Sequence, residues 1–119
     1  MTFLPAILLP ALLLAASGGL AAERPIGSTI PPGKTEETCV PVKAGETLHW
    51  RFTADVPVGF NLHTHVGRRL LMPVKIHAAR THEGQHQATA AGTWCLMWTA
   101  PKKSQAWVQG GFATDDILR

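Results

Sequence analysis

The fold is decided by a six-residue stretch, Phe60-Asn61-Leu62-His63-Thr64-His65. Apolar and polar residues alternate along it, which is typical of a half-buried β-strand. Side chains two positions apart on a strand point to the same face, so Phe60 and Leu62 share one face while His63 and His65 share the other. The stretch therefore predicts a side that faces a core and an outward side that carries two imidazoles.

Similar runs on both sides of this stretch predict an all-β protein, because turn signals separate them and none has a helical period. The runs cover residues 37–42, 47–53, 58–66, 70–79, 85–90, 93–99 and 105–112. About seven short strands are typical of a small antiparallel β-sandwich, and this is the fold class we predict. Trp50, Trp94 and Trp98 lie on the apolar faces of their runs, so we expect them in the core. Pro73 predicts an edge strand or a bulge, and Gly110-Gly111 a bulge.

The first 22 residues have the pattern of a secretory signal peptide. An apolar stretch is followed by small residues and carries no charged side chain. We predict cleavage after Ala21 or Ala22 and a periplasmic or secreted protein. An uncleaved anchor is the alternative, although Pro5 and Pro10 disfavour a long membrane helix.

The rest of the chain is predicted to hold one small domain. Residues 23–35 are rich in Pro, Gly, Ser and Thr and are interpreted as a flexible leader. The β-domain is then expected over residues 36–119. The formal net charge is +3, and no run of Lys or Arg occurs, so nucleic acid is not an expected partner. Membrane contact is expected only if the N-terminal segment is not cleaved.

Two cysteines, Cys39 and Cys95, favour a disulfide. An even number of cysteines in an exported domain is typical of a disulfide. The alternatives are a pair of thiolate ligands or a redox couple, but a redox couple is usually arranged as C-x-x-C, and these cysteines are far apart in sequence.

Signals for catalysis are lacking. The serines have no nucleophile-elbow context, and no glycine loop is arranged to hold a phosphate. The carboxylate pairs Glu36-Glu37 and Asp115-Asp116 lie near the ends of the domain and are interpreted as solvated charges. We therefore predict that the protein is not an enzyme.

Several short motifs resemble those of the GOLD (Golgi dynamics) domain, a β-sandwich of secretory cargo receptors. They are the early Cys39, the turn Ala44-Gly45-Glu46-Thr47, the aromatic strand through Phe52, and the run Ala91-Gly92-Thr93-Trp94-Cys95. The resemblance implies a β-sandwich with a binding role, in which Cys39 pairs with Cys95. Phe60–His65 and Cys95–Trp98 are also similar to motifs of small exported bacterial proteins.

The two outward histidines predict a metal site. Imidazole is a common ligand of copper and zinc, and His63 and His65 are close enough on one face to hold a single ion. Met97 is the first candidate for a third ligand and Met72 the second, although core packing is the alternative role for Met97. A thioether favours copper, with zinc as the alternative. A blue-copper site is excluded, because no histidine follows Cys95. The sequence thus predicts an exported metal-binding module; the alternative is a structural or protein-interaction domain with an exported protein partner.

Overall fold

The computed structural model describes residues 23–115. The predicted signal peptide, residues 1–22, lies outside the described residues, as do residues 116–119. Six strands form the fold: β1 (Arg24–Ile30), β2 (Thr35–Val42), β3 (Thr47–Val66), β4 (Arg69–Gln87), β5 (Gly92–Thr99) and β6 (Ala106–Asp115). Within residues 23–115, no helix is long and apolar enough to span a membrane.

All six strands belong to one antiparallel sheet, in the order β1-β6-β3-β5-β2, with β4 paired to β3. Strand β3 organises this sheet, because it changes partner halfway along its length. Residues 47–54 pair with β6, and residues 59–64 pair with β5. β4 follows the opposite edge of β3 through both halves. The sheet therefore curls, and its two halves close on a shared core in the manner of a sandwich.

The strands differ from the prediction in number and length. The runs 70–79 and 85–90 are parts of one strand, β4, and the intervening residues 80–84 are extended and paired with β3. Gly84 permits this pairing beside Trp50, since a Cβ there would lie 2.8 Å from Trp50 Cζ2. Pro73 lies within β4, which among the described residues pairs with β3, and the register between the two strands shifts between Leu71 and Val74, so the expected edge or bulge position is confirmed.

The flexible leader predicted for residues 23–35 is wrong for most of its length. Residues 24–30 form β1, which pairs with β6 from Arg24↔Phe112 to Ile30↔Ala106. Ile26 and Ile30 are buried on its inner side, so the segment alternates as a strand does. Because Pro, Gly and Thr dominate this segment, its composition did not indicate a strand with the two core residues Ile26 and Ile30.

The glycine pair of β6 marks a close approach between strands, which corrects the predicted bulge. The register between β6 and β3 runs without a shift through Gly110↔Phe52. A Cβ at Gly110 would overlap the carbonyl oxygen of Arg51 and lie 2.7 Å from Phe52 Cα. Glycine is needed there because the two backbones are too close for any side chain.

Aromatic side chains from both halves of the sheet meet in the core, as predicted for Trp50, Trp94 and Trp98. Phe60 lies at the centre, with ring centroids 5.0 Å from Phe52 and 5.6 Å from Trp98. Phe60 and Leu62 are buried, so the predicted core face of the Phe60–His65 stretch is confirmed.

The predicted disulfide between Cys39 and Cys95 is present. The two residues are opposite one another on β2 and β5, and the bond joins the edge strand β2 to the sheet. In the chain-entropy model, a loop of this length stabilises the fold by roughly 4 kcal/mol.

Candidate functional site

One surface of the sheet, turned away from the aromatic core, gathers the residues singled out by the sequence. Residues opposite one another in an antiparallel pair share a face. The register therefore places two rows side by side across β2, β5 and β3. We call this surface the outer face; its rows are Glu37–Met97–Asn61 and Cys39–Cys95–His63.

His63 is the most enclosed group of the outer face, with a side chain only 8% exposed. Its Nδ1 lies 2.7 Å from Asn61 Oδ1, and its Nε2 lies 3.0 Å from Glu37 Oε2. An amide oxygen only accepts hydrogen bonds, so Nδ1 donates to Asn61. This hydrogen bond fixes the ring and directs Nε2 toward the carboxylate.

Three potential donor atoms lie close together on this face. Glu37, His63 and Cys95 each offer one atom, and these atoms lie within 4.8 Å of one another. The sulfur of Cys95 is bonded to Cys39 and cannot act as a thiolate. The carboxylate of Glu37 and Nε2 of His63 remain as donors.

The structure brings together part of the predicted metal set. The ring centroids of His63 and His65 lie 5.6 Å apart, with the planes nearly perpendicular. His65 is exposed and Met97 is half-buried in the next row of the same face. Met72 instead lines a separate cavity of about 330 Å³ beside Trp94.

The sequence analysis missed Glu37 and Asn61 as partners of His63. The interpretation of Glu37 as a solvated charge is incomplete, because its contact with His63 depends on the registers between β2 and β5 and between β5 and β3. Asn61 has the period-2 spacing that places it on the face of His63, and this signal was available.

Other histidines have structural neighbours, which accounts for part of their abundance. His49 Nε2 lies 2.8 Å from Asp115 Oδ2. His82 Nδ1 accepts a hydrogen bond of 3.0 Å from the indole of Trp50. The ring of His86 packs on Trp94, with centroids 5.2 Å apart, and burial lowers the pKa of His86.

A second candidate surface lies where β3 turns into β4. We call residues 65–70 the hairpin tip. Val66 and Leu70 are 45% and 52% exposed, and Arg68 and Arg69 are also exposed. Gly67 makes the turn with φ of 62°, a conformation that glycine adopts without steric cost. The tip thus presents two apolar side chains and two guanidinium groups to solvent.

Comparison with known proteins yields a likeness of fold. No family profile matches the chain, and no curated protein sequence matches it. The solved structures include a similar one, Aeromonas hydrophila PliG, a periplasmic lysozyme inhibitor of g-type lysozyme. The likeness has a TM-score of 0.59 at 14% identity and covers 87% of this chain and 93% of PliG. The two proteins share a fold. The similarity to the GOLD domain stays a resemblance of motifs.

Proposed function

We propose that this chain is an exported protein-interaction domain that binds its partner through the hairpin tip. The observation that carries the proposal is the exposure of Val66 and Leu70 beside Arg68 and Arg69. Arginine is enriched and lysine is depleted at binding surfaces. The exposed apolar side chains beside the arginines would leave water when a partner covers the tip. A disulfide-bonded domain suits an oxidising compartment, which supports export.

The charge around the tip favours an acidic partner. From residue 56 to residue 82 the sequence contains no Asp or Glu. Arg68 and Arg69 lie at the tip itself, whereas Lys75 and Arg80 lie farther along β4, where Arg80 donates a hydrogen bond to the backbone oxygen of Asp55. Guanidinium groups form paired hydrogen bonds with carboxylates, so we infer that the partner presents a cleft containing Asp or Glu.

The function of PliG supports a particular class of partner. PliG is an inhibitor of g-type lysozyme. Most glycoside hydrolases cleave their substrates with carboxyl groups in an open cleft, which suits the charge of the hairpin tip. We therefore propose a lysozyme as the first partner to test, and a binding role without catalysis for this chain.

The test is titration of purified protein against g-type lysozyme, by calorimetry and by clearing of a cell-wall suspension. We expect binding and inhibition in wild type, and a loss of at least tenfold in affinity in the Arg68→Glu/Arg69→Glu variant. The Lys102→Glu/Lys103→Glu variant is the matched control, since it reverses two adjacent turn charges elsewhere and should keep full affinity. Equal weakening in both variants would show that net charge, rather than the tip, governs binding.

Metal binding on the outer face is the second candidate function. Metal-bound histidines commonly donate their second ring N–H to an oxygen, as His63 does to Asn61. Nε2 then faces Glu37, and His65 lies alongside. Two imidazoles and a carboxylate suit zinc, whereas Met97 as the third ligand would suit Cu(I) and the copper preference inferred from the sequence.

Two substitutions distinguish these metals. We expect Glu37→Gln to weaken Zn(II) more than Cu(I), and Met97→Ala to do the reverse if the thioether is a ligand. His65→Ala should weaken both, while His77→Ala serves as the control, since His77 is an exposed histidine on β4. Calorimetric titration of untagged protein measures these effects, and unchanged affinity in His65→Ala would remove the outer face as the site.

A further inference from the structure

A hollow on the outer side of the sheet borders the metal candidate at Asn61, and neither proposed function places a ligand in it. It lies across β4, β3 and β5 and has a volume of about 690 Å³. We call it the Gly59 hollow; its main walls are Pro57, Gly59, Lys75, Ile76, Pro101 and Lys102. The volume falls within the usual range of small-molecule sites, roughly 300–1,000 Å³.

The hollow follows from the way β3 changes partner. β3 leaves β6 after Ala54 and joins β5 at Gly59, so its backbone has no neighbour on that edge between these points. Gly59 then contributes no side chain. A Cβ there would stand 3.5 Å from both His77 O and Thr99 Cβ, so the space above the glycine is bounded by β4 and β5.

The floor of the hollow is apolar, and its rim carries positively charged side chains. Pro57, Ala78 and Pro101 supply aliphatic surface. Lys75 and Lys102 are exposed, and neither forms an ion pair with any described residue between 23 and 115. The walls contain no carboxylate. Two unneutralised ammonium groups over an apolar floor select a ligand that is negatively charged at one end and apolar at the other.

We propose that the Gly59 hollow binds a small carboxylate with an apolar tail. The tail lies on Pro57, Ala78 and Pro101, where its contact surface leaves water. The carboxylate lies between Lys75 and Lys102, whose flexible stems let each ammonium reach a single oxygen. The imidazole of His77, the hydroxyl of Thr99 and the amide of Asn61 also line the hollow and can form hydrogen bonds that orient the carboxylate.

The test is a titration of ¹⁵N-labelled protein with octanoate, acetate and 1-octanol, followed by amide chemical shifts. Octanoate should shift the amides of Gly59, His77 and Thr99 in a saturable way. Acetate lacks the tail and 1-octanol lacks the charge, so each should bind at least tenfold more weakly. Shifts confined to the separate cavity beside Trp94 would overturn the proposal.

Charge reversal at the rim distinguishes specific binding in the hollow from nonspecific electrostatic attraction to the protein. Lys75→Glu and Lys102→Glu are substitutions of exposed residues and should leave the spectrum folded while weakening octanoate at least tenfold. Lys103→Glu changes the net charge equally one position away but does not line the hollow, so it should bind as wild type does. Equal weakening by Lys103→Glu and Lys102→Glu, or octanoate binding unchanged in Lys75→Glu/Lys102→Glu, would overturn the proposal.

Saturable binding of an acidic peptide without octanoate binding would also overturn it, because it would assign the rim to a protein partner. Failure of the lysozyme test has no bearing on this site, since the hairpin tip shares no residue with the hollow.

Discussion

Replacing Gly110 by alanine is the most direct test of the way β6 packs on β3. The added Cβ would overlap the carbonyl oxygen of Arg51 and stand 2.7 Å from Phe52 Cα. Both are backbone atoms at the centre of the sheet, so no flexible side chain can swing aside. The overlap is relieved only by moving one strand away from the other.

The expected cost follows from two effects. Forcing extra volume into a packed interior costs roughly 1–3 kcal/mol. Strand separation also weakens about two ladder hydrogen bonds beside Phe52, each contributing on the order of 1 kcal/mol. We therefore expect Gly110→Ala to lower the free energy of unfolding by about 3–5 kcal/mol, a large share of the roughly 5–15 kcal/mol typical of a small domain.

Urea unfolding followed by tryptophan fluorescence measures this loss. With a urea m-value of about 2 kcal/mol per molar, the unfolding midpoint should fall by roughly 2 M. Gly27→Ala is the matched control, because Gly27 also lies in a strand but a Cβ there meets no atom within 4 Å. That variant should stay within about 0.5 kcal/mol of wild type or gain slightly. A Gly110→Ala protein as stable as the Gly27→Ala protein would refute the close approach of β6 and β3.

Three further predictions concern the disulfide, the core and pH. Replacing both Cys39 and Cys95 by alanine should lower the free energy of unfolding by roughly 2–5 kcal/mol, and native wild-type protein should show no alkylatable thiol by mass measurement. Trp94→Ala should cost roughly 3–5 kcal/mol by chemical unfolding, because the side chain is only 2% exposed, and a cost below about 1 kcal/mol would contradict its core position. Burial lowers the pKa of His86 below its ordinary value of 6.5, so the unfolded chain takes up the proton more readily. The stability that His86 contributes should therefore be lost as pH falls below about 6.5, and His86→Gln should flatten that part of the stability–pH curve; an identical curve in the variant would contradict this.

Alternation along the chain is sufficient to predict which residues of the Phe60–His65 stretch share a face. It placed Phe60 and Leu62 in the core and His63 on the opposite side, because the period of a strand is set by local backbone geometry. It could not predict that the runs 70–79 and 85–90 join. Residues 80–84 are extended because β3 supplies pairing partners for them, and no local propensity records that neighbour.

The residues of the candidate sites also divide into those that the sequence predicts and those that only the structure reveals. The sequence predicts His63 and His65 on one face because their spacing on a single strand is a local property, whereas the position of Met97 on that face depends on the register between β3 and β5. Glu37 was missed as a partner of His63, and so was the Gly59 hollow. Both depend on which strands lie side by side and in which register, and register is fixed by contacts between residues far apart in sequence.

The amino-acid sequence by itself predicted that this chain is an all-β protein and which residues of Phe60–His65 face its core, and it favoured a disulfide between Cys39 and Cys95. Only the tertiary structure decided that one strand, β3, serves both halves of the sheet. The physical reason is that periodicity and residue chemistry act over a few residues. The exchange of partners at Ala54–Gly59 depends instead on which of two strands that are distant in sequence, β6 or β5, pairs with that edge of β3.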